Sequence, residues 1–128
     1  ALPYDSFRQK GDVLVVRFDV SGRVEKRTWV TSTRAVKERC PGIAPYGKSF
    51  MVVWDEQPAQ PRRAPGKVMI SVVAPDGSVV MPARLAGAAR KGSSFSELIP
   101  LPDGGAAWTY VDYKSDVIRI YRVPPPHS

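Results

Sequence analysis

Few side chains in this chain of 128 residues are suited to chemistry. Its single histidine, His127, stands one residue from the end, behind Pro124-Pro125-Pro126. A Ser-His-Asp or Cys-His triad needs an imidazole held in one orientation, and that position does not hold one. Cys40 is the only cysteine, so no intrachain disulfide can form and a His and Cys zinc site lacks ligands. Cys40 is free to bridge two chains, although a buried or idle thiol is the plainer reading. The carboxylates remain: Asp55 and Glu56 close one apolar run and Asp112 closes another. At a common mouth they would suit an acid–base pair or a cation; apart, they are ordinary strand-end residues. No GxxxxGKS loop, GxGxxG turn or EF-hand pattern is present. With no set of acid, base and nucleophile, the chain reads as non-enzymatic, and neither cofactor nor metal is expected.

Aromatic residues are better placed for binding. Trp29, Trp54, Trp108, Tyr46, Tyr110 and Tyr113 could stack on sugars or bases, each offering an apolar face with a polar edge. Trp54 and Trp108 fall in strand-like runs, where core packing is the default, whereas Tyr46 and Tyr113 fall in turns. The ligand-binding candidates are therefore Tyr46, Trp54, Asp55, Trp108, Asp112 and Tyr113. Nineteen Lys and Arg against twelve Asp and Glu give a net charge of +7. The basic candidates Arg34, Lys37, Arg39, Arg62, Arg63, Arg84, Arg90 and Lys91 lie mostly in connections or outer strands. From 62 to 91, six cations face Asp76 alone. That excess permits attraction to nucleic acid, anionic membrane surfaces or acidic glycans without choosing among them; a solvated basic rim explains it equally.

The elements that must position these residues read as strands throughout. Val13 to Val20 alternates Leu14, Val16 and Phe18 against Arg17 and Asp19. Ser21-Gly22 turns it into the polar run Val24 to Val30, suited to an edge. Thr31 to Arg39 is dominated by Ser, Thr and charge and reads as a loop or single turn. Cys40 to Pro45 is extended, Phe50 to Trp54 is a strand, and the proline-rich stretch 55–66 is an exposed loop. Lys67 to Ala74 then meets the Pro75-Asp76-Gly77 turn, and Ser78 to Leu85 returns. After the small, basic connection 86–94 come Phe95 to Leu101, Ala106 to Asp112 and Val117 to Val123, where Pro124-Pro125-Pro126 stops the sheet. Residues 1–11 and 124–128 read as arms on a single all-β domain spanning 1–128. No apolar run approaches the length of a membrane span.

Two stretches recur. Pro45-Tyr46-Gly47 through Trp54-Asp55 returns 57 residues later as Pro102-Asp103-Gly104 through Val111-Asp112. Val13 to Val24 returns 55 residues later as Val68 to Val79. The order of parts is the same, giving repeats at 12–66 and 67–123. This order, with apolar inner strands, Ser-Gly or Asp-Gly turns and a polar outer strand, resembles the four-stranded blades of bacterial β-propellers over residues 12–123. The resemblance implies antiparallel blades in a radial array; a β-sandwich is the alternative architecture. Counted as blade strands, the chain from Val13 runs third, fourth, first to fourth, then first to third. One whole blade flanked by two partial ones does not close, because propellers take about four to eight blades. The expected role is therefore binding or assembly with a protein partner, either copies of itself or the remainder of a larger propeller. A lectin-like glycan-binding module and an electrostatic nucleic-acid-binding module are the rival expectations. A start at Ala1 without Met fits a processed protein or a piece of a longer one, and a secreted or extracytoplasmic location is expected.

Overall fold

The computed structural model describes residues 12–31, 36–58, 67–86, 97–112 and 115–126, with the backbone alone for Val36, Lys37, Arg39, Cys40, Pro58, Val111 and Asp112. These residues form nine strands and no helix: β1 (Leu14–Phe18), β2 (Val24–Trp29), β3 (Val36–Tyr46), β4 (Ser49–Pro58), β5 (Lys67–Val73), β6 (Val79–Leu85), β7 (Ile99–Pro100), β8 (Ala106–Asp112) and β9 (Val117–Val123). Every pairing is antiparallel, between strands consecutive in sequence. The strands divide into three sheets, β1-β2, β3-β4-β5-β6 and β7-β8-β9, rather than the two of a sandwich. With no helix among the described residues, none is long and apolar enough to cross a membrane.

The turns show how local chemistry sets this order. After β1, the Asp19 carboxylate accepts from the Ser21 amide (2.9 Å), the Ser21 hydroxyl (2.7 Å) and the Arg23 amide (2.9 Å). Gly22 takes a φ of 88°, a left-handed conformation that costs glycine little. After β5, Asp76 accepts from the Ser78 amide (2.8 Å) and hydroxyl (2.6 Å), and Gly77 takes a φ of 92°. The backbone bonds match one for one. Asp19 N–H donates to Arg23 O at 2.9 Å, as Ala74 N–H does to Ser78 O at 2.8 Å. Gly22 N–H donates to Asp19 O at 3.0 Å, as Gly77 N–H does to Ala74 O at 2.9 Å. The two turns are therefore alike in their backbone bonds at an offset of 55, even though the capping carboxylate comes from a different position in each.

The core forms on both faces of the middle sheet, β3-β4-β5-β6. Side chains alternate along β4, as the pleat requires. Met51 and Val53 join Ala44, Val68, Ile70 and Val72 on one face and meet Leu98, Ala106 and Trp108 from the β7-β8-β9 side. Val52 and Trp54 join Val73 on the other face and meet Val13, with Val15, Val30 and Met69 packed around them. Burying a Val or Met side chain fully contributes about 1.5–3 kcal/mol, so this alternation holds three sheets in one stack. It also corrects the 57-residue offset, which pairs Trp54 with Val111 and Met51 with Trp108. By packing, Trp54 and Trp108 are the equivalent positions, since each is buried against the sheet that precedes its own. Moving the offset from 57 to 54 flips the face, because the side-chain period of a strand is two.

Three expectations about extent change. β3 begins at Val36, inside the stretch expected to be a loop, and β4 runs on to Pro58, past the expected end at Trp54. The reason is mutual pairing: Lys37 lies opposite Gln57, Glu38 opposite Glu56 and Arg39 opposite Asp55. Each stretch is unremarkable alone, and each supplies the other's ladder. The register breaks between Arg39 and Gly42, so Pro41, which has no N–H, falls at the irregularity rather than in a regular rung. Pro124 to Pro126, expected to be part of an arm, instead lie over the β3–β4 and β7–β8 turns. The Tyr46 hydroxyl donates to Pro124 O at 2.6 Å, and side chains of Pro126 and Pro125 sit beside Gly47 and Gly104. The two turns also join directly, Gly47 N–H donating to Gly104 O at 3.1 Å.

Candidate functional site

Among the described residues, the ligand-binding candidates do not converge. Trp54 and Trp108 are fully buried, one on each side of the middle sheet, so neither offers a ring face to a ligand. Trp108 stacks on Tyr121 with ring centroids 5.8 Å apart. No described group accepts from the buried Trp54 indole N–H. Tyr46 is half-buried at the turn clasp, where burial pushes its phenol above the ordinary value and nearby Arg84 opposes the shift. Asp55 is half-buried in β4 opposite Arg39, while Asp112 closes β8 opposite Val117. Tyr113 lies outside the described residues. Asp55 and Asp112 therefore belong to different sheets, and among the described residues no group of three or more His, Cys, Asp or Glu could hold a metal ion.

Of the basic candidates, only Arg84 has a described side chain, exposed on β6. Lys37 and Arg39 are placed in β3 by their backbone, and Arg34, Arg62, Arg63, Arg90 and Lys91 lie outside the described residues. Two of the other cations the structure positions are tied up locally. Arg17 donates to Glu25 at 2.6 Å and to the Pro75 carbonyl at 2.6 Å, and Arg122 pairs with Asp103. Asp103, held by the Gly105 amide before Arg122, and Asp19 and Asp76, held first by the serine hydroxyls, all lie below the usual carboxylate range. These are turn-building carboxylates rather than acids or bases.

The features that stand out are apolar, and apart from Trp29 the sequence reading missed them. Beyond β1 the two-stranded sheet and the middle sheet splay around a groove of about 330 Å³, with Val16, Arg17, Phe18, Lys26, Ile43 and Phe50 in its lining. Ile43 lies opposite Val52 in register, and Phe50 is two residues from it, so both are on the Trp54 face of the middle sheet. Yet Ile43 is 52% and Phe50 37% exposed, because the two strands β1 and β2 do not reach them. At the other end, Tyr121 and Val123 point into the core, so Ile118 and Ile120 of β9 point away from it, 69% and 73% exposed. Trp29, opposite Leu14, is exposed on β2. The one signal available from sequence was alternation that continues on strands with no partner sheet. Compared with models of known protein families, with characterised proteins and with solved structures, the chain matches none.

Proposed function

We propose that this chain is a non-enzymatic assembly module of blade-like β-units, acting through protein–protein contacts with copies of itself or with the rest of a larger propeller-like array. The division of strands into two, four and three supports the blade reading, since it follows the count of a partial, a whole and a partial blade. So does the stacking direction, in which each tryptophan faces the preceding sheet.

The observation that carries the role is the contrast between the middle sheet and the ends. The middle sheet buries apolar side chains on both of its faces, while the end sheets leave Ile118, Ile120 and Trp29 in water. Apolar side chains grouped on a sheet face mark a surface that another protein covers. Light scattering at several concentrations tests this on the wild-type chain and on the pair of substitutions Ile118→Lys and Ile120→Lys. The expected result is a multimer whose mass rises with concentration and is lost in the double variant. A wild-type monomer that stays a monomer at every concentration and melts cooperatively would overturn the reading.

A further inference from the structure

We propose that the free edge of β1 and the adjoining groove take an extended strand from a partner protein, one whose alternate side chains are apolar. The proposal rests on the protein-binding reading above but uses a different surface.

The phase of the β1–β2 ladder identifies which backbone groups are available. Val30 N–H donates to Val13 O at 2.9 Å, and Val13 N–H to the Thr31 hydroxyl at 2.8 Å. Residues of an antiparallel strand alternate between facing the partner and facing away. Val15 and Arg17, opposite Thr28 and Lys26, therefore bond inward, and the N–H and C=O of Leu14 and Val16 point to the other edge. No described residue pairs with that edge. Such an edge is a template for an added strand.

What the strand would cover is equally specific. Along β4 the same face carries Trp54 and Val52, buried beneath the β1 side, and then Phe50, partly open. The groove is thus the uncovered continuation of an interface the molecule already makes. On the opposite face the covering sheet has three strands; on this one it has two. A strand laid against β1 would put alternate side chains on Ile43 and Phe50. The groove's volume is at the small end for a drug-sized ligand, where pockets run about 300–1,000 Å³, which suits a few side chains of a strand.

The test uses a fluorescent ten-residue peptide alternating Val or Trp with Glu, read by anisotropy against the full chain. Binding is expected, weakened about tenfold or more by N-methylation of alternate peptide amides, since each pair of lost ladder bonds is worth about 1.4 kcal/mol. Val16→Pro removes an outward N–H, and Phe50→Asp spoils the apolar platform; both should abolish binding, while the double variant at Ile118 and Ile120 should bind as wild type. Absence of binding, or binding indifferent to N-methylation and to Phe50→Asp, would overturn the proposal. Tighter capture of a synthetic peptide of residues 1–11 would overturn it in favour of the chain's own segment, and self-association lost in Phe50→Asp would do so in favour of a second copy. Loss of multimers in the Ile118 and Ile120 variant bears on the end faces only, so the two readings fail separately.

Discussion

The two sheets that flank the middle one do the same job with unequal means. β7-β8-β9 brings three strands, places Trp108 in the interface, and is bound to the middle sheet by the turn clasp of Gly47, Gly104 and Tyr46. β1-β2 brings two strands and receives Trp54 from the middle sheet instead. Polar bonds add to its hold: Arg17 reaches the Pro75 carbonyl and the Thr28 hydroxyl donates to Gly77 O at 2.7 Å. The consequence is asymmetric coverage, closed over Met51 and Val53 but open over Ile43 and Phe50. Apolar burial depends on how many strands lie above a face, not only on which residues the face presents.

Removing either tryptophan breaks the comparison at its base. Trp54→Ala and Trp108→Ala should each cost about 3–5 kcal/mol in denaturant unfolding. Phe substitutions sharpen it: Trp54→Phe should cost less than Trp108→Phe, because it also deletes an indole N–H with no described acceptor. Next come the two matched turns. An added methyl at Gly22 meets nothing, whereas at Gly77 it meets Lys26 and Thr28 of the flanking sheet. Gly22→Ala should therefore cost about 1 kcal/mol of backbone strain, and Gly77→Ala about 2 kcal/mol, with β1 and β2 losing more of their protection in amide exchange in the latter.

A smaller effect probes the clasp on the opposite side. Tyr46→Phe should cost about 1 kcal/mol by loss of the bond to Pro124 O. Because the folded-state phenol is raised above 10.0, its contribution is complete below that pH and is lost as pH climbs through the folded value; the phenylalanine variant should lack this alkaline step. The smallest effect is acid sensitivity. Asp19, Asp76 and Asp103 are lowered from about 3.8, so the stability they add is present above that pH and disappears as pH falls through their folded values. Asp19→Asn, whose amide oxygen still accepts, should flatten that part of the melting-temperature profile while the turn survives.

Much of the fold was legible because it is local. The Ser-Gly and Asp-Gly turns, the strands β5, β8 and β9 and the antiparallel order follow from turn chemistry and alternation that can be read in a few residues. The start of β3 was not legible, since Val36 to Arg39 becomes strand only by pairing with Asp55 to Pro58. The candidate site was less legible still. Trp54 and Trp108 look alike whether they line a pocket or a core, and Tyr46 in its turn serves the Pro124 carbonyl. Phe18, Ile43 and Phe50 have the pattern of core residues, so nothing local distinguishes them from Val52.

The sequence by itself determined most of the segments that extend, where they turn and which side chains along one strand share a face, because φ preferences, Asx capping and a period of two act within a few residues. Only the tertiary structure decided which faces are covered and which are left to another chain. That depends on how many strands each sheet gathers and in what phase they stack, and an odd change in offset turns a core residue outward.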